Sequence, residues 1–323
     1  FLKNLSNLIV LRLTSFLLSA FNIIFFSNIL SVEDFGTFSI QISIIQLLIF
    51  VFSFGFPNSL TILIPEQNFQ NTKNLLKLQK NFLYFILIII LATNHFLNFI
   101  SQSIILIIFF NIVLWTNSLA FNTENYKKAT IFFGPYRPGG GLFINALLLF
   151  SISILFFLEV NIDLNMIFII LASCSFASMF LSEIFSNIKF KNSNSNYTML
   201  SILRLSIPIS LQKSIDPLQE IIFLMVCNYF LNDYLLGLAL FSYRMSLIVP
   251  GLVGSFLEIN YLPLISKDII INKFKISNAL LQEKTQIQAL CNFVILIFAI
   301  LFYDFFAQLI FPQYLEAKNI FII

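Results

Sequence analysis

The chain has 323 residues, of which 59% are hydrophobic and 10% charged, with a mean hydropathy of +0.92 and a formal net charge of +3. A soluble protein carries roughly 25% charged residues, so a soluble globular fold is excluded. The long apolar runs do not alternate with polar residues, which excludes a membrane β-barrel, and the composition is that of a polytopic helical membrane protein.

Nine apolar segments are long enough to read as spans. In chain order they are Leu5–Leu30, Phe38–Leu60, Phe82–Ile100, Ser103–Phe121, Leu142–Leu158, Leu164–Phe185, Ile202–Leu231, Leu236–Leu257 and Ile287–Phe311. A tenth begins near Asn319 and is cut off. The chain starts at Phe1 rather than Met and stops in the apolar run Phe321–Ile323, so it is expected to be open at both ends. No cleavable signal peptide is visible, because the first apolar segment is long enough to be a span.

Loop charges orient these segments. On one side lie Lys3, Lys73, Lys77, Lys80, Lys127, Lys128, Arg137, Lys189, Lys191, Lys267, Lys273, Lys275 and Lys284, most of the 18 Lys and Arg. The opposite side has only Lys318, among Glu33, Asp34, Glu159, Asp163, Asp233 and Glu316. The positive-inside rule puts the N-terminus in the cytoplasm.

The remaining cations, Arg12, Arg204, Lys213 and Arg244, fall inside spans, where each costs roughly 3 kcal/mol if it faces lipid. Arg204 is near enough to the cytoplasmic end to snorkel. Arg12 shares a helix face with Ser15, Ser19 and Asn22, within about 80° at ~100° per residue. That stripe lines a cavity or serves as helix-packing glue. The run Ile221–Leu231 is about half of what a bilayer-crossing helix needs. A span there must recruit Leu203–Gln219 and so bring Lys213, Asp216 and Glu220 into the membrane. These three share one face with Ser206, beside Pro208 and Pro217, which kink or break the helix. A one-sided charged stripe points to a water-filled cavity; the alternative is an amphipathic helix lying on the cytosolic surface. Arg244, about 12 Å along the eighth span, needs an acidic partner, Asp216 or Glu220, or a ligand.

The two halves echo each other. L-R-L-T at Leu11–Thr14 returns as L-R-L-S at Leu203–Ser206, and Phe35-Gly36 returns as Leu236-Gly237, 201 positions later. Six-helix parallel repeats of this length mark several transporter folds.

On these residues the chain resembles the multidrug/oligosaccharidyl-lipid/polysaccharide exporter superfamily. The likeness is nearest its polysaccharide flippase (Wzx-like) branch and the lipid II flippases. It is carried by S-N-I-L-S-V-E-D-F-G-T-F-S at Ser27–Ser39, F-G-F-P-N-S-L at Phe54–Leu60, G-L-A-L-F-S-Y-R-M at Gly237–Met245, Y-L-P-L-I-S-K at Tyr261–Lys267 and F-P-Q-Y-L-E-A at Phe311–Ala317. The resemblance implies an all-α polytopic bundle of two pseudo-symmetric six-helix lobes around a central cavity, residues 1–195 and a truncated 196–323. It implies a flippase that moves a lipid-linked oligosaccharide, an O-antigen or other surface polysaccharide unit on a polyprenyl pyrophosphate, across the bacterial cytoplasmic membrane by alternating access. Its partners would be that substrate, membrane lipids and a coupling ion, H+ or Na+. Arg244 looks like the eighth-helix arginine that meets the pyrophosphate, with Arg12 its loose first-helix counterpart. The acid many members carry in helix 7 is missing near Phe223; the nearest is Glu220. The expected cavity residues are therefore Arg12, Ser15, Ser19, Asn22, Lys213, Asp216, Glu220 and Arg244. A drug/cation antiporter of the same superfamily and a membrane enzyme of glycan assembly are the alternatives.

No enzyme chemistry is expected. The glycine-rich Gly134–Gly141 lacks Gly-Lys-Ser/Thr and follows a helix, so it is no phosphate-binding loop. His95, the single histidine, lies near the external end of the third segment and reads as interfacial. Cys174, Cys227 and Cys291 are too far apart for a disulfide framework or a metal-ligand set, so no metal or cofactor is expected. Nothing points to nucleic acid.

Overall fold

The computed structural model describes residues 2–53, 102–120, 141–185, 199–247 and 277–318, with scattered positions in 81–88 and 251–257. Among the described residues every regular element is helical and no strand occurs. The helices are α1 Leu2–Ile29, α2 Val32–Phe52, α3 Gln102–Ala120, α4 Leu142–Phe157, α5 Leu164–Phe185 and α6 Met199–Phe230. They are followed by α7 over residues 233–247, α8 Ser277–Ile310 and a 3₁₀ turn over Pro312–Ala317.

The chain divides into two compact units, residues 38–226 and residues 1–37 with 227–323. In the first, α5 packs on α3 and α4. Between α3 and α5, the Asn111 amide donates to Ser175 Oγ at 3.1 Å and to Ile107 O at 2.8 Å. Phe110 meets Phe176 in the same seam, their ring centres 5.2 Å apart. A buried amide satisfied across two helices is how polar residues hold helices together where lipid supplies no hydrophobic drive. The turn from α4 to α5 is a Schellman motif: Val160 N–H donates to Leu155 O and Glu159 N–H to Phe156 O, both at 3.1 Å. It leaves Glu159 at φ 55°, a left-handed position that glycine usually fills. Asp163 then caps α5, its Oδ1 accepting the Met166 N–H at 2.8 Å.

The second unit contains two turns of one design, 201 positions apart. Leu30 and Leu231 close the preceding helices, donating to Phe26 O and Cys227 O. Ser31 and Asn232 are the N-caps of α2 and α7: Ser31 Oγ accepts the Asp34 N–H at 3.1 Å, and Asn232 Oδ1 accepts the Leu235 N–H at 2.8 Å. Past each cap comes the glycine of the repeated pair, and the two glycines meet. A Cβ on Gly36 would stand 3.2 Å from Gly237 Cα, and one on Gly237 would stand 2.1 Å from Val32 O. Around this contact Phe35, Phe241, Phe311 and Tyr314 form an aromatic core, with Tyr314 stacked on Phe241 at 3.9 Å between ring centres.

Three of the described helices are long and apolar enough to cross a membrane: Val32–Phe52, Leu164–Ile184 and Gln282–Phe305. They are the helices of a multi-pass membrane protein. Between Ala289 and Phe302 the exposed residues of α8 are apolar, and an open groove of about 490 Å³ there is lined by Ile295, Phe298, Ala299 and Phe302.

This corrects the expected architecture of nine complete spans and a tenth in two six-helix lobes around a cavity. The first, fourth, fifth and seventh expected spans are helical, and the apolar stretches among their described residues are Leu13–Ile29, Gln102–Leu114, Leu142–Phe157 and Leu218–Phe230, each 10–17 residues. At 1.5 Å per residue, 17 residues cover about 25 Å of a hydrocarbon layer roughly 30 Å thick. The third expected span, the end of the eighth and the tenth fall largely outside the described residues.

Candidate functional site

The expected cavity residues fall on both compact units. In the unit formed by 1–37 and 227–323, Ser15, Asn22 and Arg244 are buried and Ser19 is half-buried. Arg244 is 5% exposed, a cation enclosed by protein rather than facing lipid. Ser19 Oγ donates to Ser15 O at 3.1 Å, the back-bond of a helical serine to its own preceding turn. The side chain of Arg12 lies outside the described residues.

In the unit 38–226 the α6 stripe has two sides. Ser206 and Leu224 are buried and Glu220 is half-buried, whereas Leu211 is 65% and Ile215 49% exposed. Lys213 and Asp216 occupy α6 two turns and one turn before Glu220, and their side chains lie outside the described residues. Pro208 and Pro217 do not end the helix, which runs unbroken from Met199 to Phe230.

Glu220 meets a partner the sequence reading did not name. Ser43 Oγ, on α2, donates to Glu220 Oε1 at 2.7 Å. The same hydroxyl lies 3.0 Å from Ser39 O, one turn back in α2. Ser39, Ser43 and Gln46 follow at i, i+4 and i+7 and are all buried, so they make one polar stripe on α2. The Gln46 amide nitrogen has no hydrogen-bond partner among the described residues, and Gln46 is 5% exposed. That stripe was readable: three polar side chains recur at helical spacing along the 21-residue helix. It was missed because serines carry no charge to draw the eye, while Glu220 does.

The seam can hold and exchange hydrogen bonds with a polar group. Among the described residues no group of three or more His, Cys, Asp or Glu is placed to hold a metal ion.

The expected flippase function is overturned with the architecture it needs. Alternating-access exporters of that superfamily, the drug/cation antiporters included, are built from about ten or more spans as read from the resemblance, and three helices of spanning length among the described residues fall far short of that. No family model matches the chain, and no curated protein or solved structure matches it.

Proposed function

We propose that the chain is a multi-pass protein of the cytoplasmic membrane, its N-terminus on the cytoplasmic side, that binds a polar group within the bilayer and catalyses no reaction. The observation that carries this is the Ser43–Glu220 contact, which joins a buried polar stripe on α2 to a half-buried acid on α6. Ionisable residues inside membrane segments are costly and mark paths or sites for polar ligands. Orientation is supported by the lysines at the start of the chain and across 267–284, Lys3, Lys267, Lys273, Lys275 and Lys284, which the positive-inside rule keeps in the cytoplasm.

Single cysteines test the site in a protein freed of Cys174, Cys227 and Cys291. Positions 43, 46 and 220 react with a small water-borne thiol reagent, and positions 44, 211 and 215 do not. Equal reactivity on all faces would overturn the reading. Cysteines placed in 71–80 and 267–284 stay shielded from an impermeant reagent in intact cells; labelling from outside reverses the orientation.

A further inference from the structure

We infer that two copies of this chain pair through α6, along the ridge Leu211, Ile215, Leu218, Ile222 and Met225. This goes beyond the proposed function and rests on it in one respect: copies that share a membrane orientation meet with their α6 helices parallel.

The ridge residues follow one another at intervals of four, three, four and three, the heptad repeat of a coiled coil. Ile215 and Ile222 take the a positions, and Leu211, Leu218 and Met225 the d positions. All of them are 46–68% exposed. The opposite side of the helix faces the protein, where Leu224 is buried and Glu220 half-buried. Branched Ile at a with Leu at d favours two parallel strands over three or four. A surface that meets only lipid needs no such period, because lipid tails are as apolar as Leu on every side of a helix. On α8 the exposed Leu296, Ile297 and Phe298 stand in a row and turn all round the helix.

Charge and hydrogen bonding fit a second copy. At a two-fold axis each residue meets its own like, so a charge on the ridge would repel itself. Lys213, Asp216 and Glu220 stand at f, b and f, away from the ridge. Below Leu211 the next two a and d positions are Pro208 and Arg204, and there the ridge ends. The flanking positions carry no charge: Gln212 and Gln219 at e, Ser214 and Ile221 at g. In a parallel pair the g and e positions of facing helices lie side by side. That sets Ser214 beside the partner's Gln219, and by symmetry this happens twice. Ser214 Oγ gives its hydrogen to Leu211 O at 2.8 Å, so its oxygen can accept from the exposed amide of the partner's Gln219. Such bonds hold helices together where lipid supplies no hydrophobic drive.

Cross-linking in membranes with a lipid-permeant oxidant tests the ridge, in a chain whose Cys174, Cys227 and Cys291 are replaced by alanine. Single cysteines at 215, 218 and 222 give a disulfide-linked dimer, whereas cysteines at 150, 157 and 223, which are also exposed, do not. Equal cross-linking at all of these positions overturns the proposal. So does none at 215, 218 and 222, or a linked product whose mass is not twice that of the chain. Sedimentation equilibrium in detergent then measures the pair, with circular dichroism to show that each variant folds. Gln219→Leu and Ser214→Ala each weaken dimerisation by about 3- to 20-fold per hydrogen bond lost, and the double variant is no weaker than either alone. Variants that dimerise as tightly as the parent overturn the Ser214–Gln219 pairing and the register built on it. In a mixture of Leu211→Cys and Met225→Cys chains, each links to its own kind. Links between 211 and 225 would make the pair antiparallel, which overturns it together with the common orientation taken from the proposed function. Loss of cross-linking along the ridge overturns the pair alone.

Discussion

Asn28 and Gln313 cap each other's helices. The Asn28 amide, in the last turn of α1, donates to Ile310 O, the final carbonyl of α8, at 2.9 Å. The Gln313 amide, just past α8, donates to Ser27 O and to Leu30 O at the end of α1. The last carbonyls of any helix have no partner within it, and near lipid an unpaired carbonyl is especially costly. Here two helices more than 280 positions apart in sequence settle that debt for one another.

Asn28→Ala and Gln313→Ala are each expected to lower stability by about 1 kcal/mol. The double variant should lose less than the two losses added together, because the first substitution already loosens the joint that the second uses. A double-mutant cycle by thermal unfolding in detergent measures this. Strict additivity would mean that the two caps act independently.

How far the sequence revealed this molecule differs from residue to residue. The turns at Ser31 and Asn232 were legible, since both carry a capping side chain followed by a repeated glycine. The α4 and α5 boundaries were also legible, because Glu159 to Asp163 is a polar break between two apolar runs. Span count was not: nine segments read as spans in the sequence, whereas three of the described helices are long and apolar enough to cross a membrane. Nor were long-range partners legible. Glu220 stood out by its charge, but Ser43 lies 177 positions away. Gln313 looked like part of a motif, and nothing local told that its amide reaches α1.

Gly36 and Gly237 differ in how much they tolerate. Gly237→Ala would drive its new methyl group to 2.1 Å from Val32 O, a backbone atom that cannot rotate away. Gly36→Ala places its methyl at 3.2 Å from Gly237 Cα, which a small adjustment relieves. Overpacking of this kind costs about 1–3 kcal/mol. Gly237→Ala should sit at the top of that range and Gly36→Ala below it, read as the order of melting temperatures. The reverse order would show that the two turns do not meet as described.

Tyr314 offers a stabilising change. Its side chain is fully buried, stacked on Phe241, and its hydroxyl has no hydrogen-bond partner among the described residues. Burying an unsatisfied hydroxyl costs about 1–3 kcal/mol, and removing it without changing shape returns part of that. Tyr314→Phe keeps the ring and the backbone carbonyl that accepts from Tyr303, so a gain of about 1 kcal/mol is expected at neutral pH. The pH dependence gives a second signature. Burial, and then the charge of Glu33, hold the Tyr314 hydroxyl above its ordinary value of 10.0. Below that value folded and unfolded chains both keep the proton, and the full stability is present. Above it the unfolded chain releases the proton while the folded chain retains it, so stability falls as pH rises toward the folded value. Tyr314→Phe should flatten this alkaline loss without abolishing it, because Tyr234 is also held high, by burial and by Glu316. Melting curves between neutral pH and pH values above 10.0 decide the point. A variant less stable at neutral pH, with an unchanged alkaline slope, would show that the hydroxyl is satisfied.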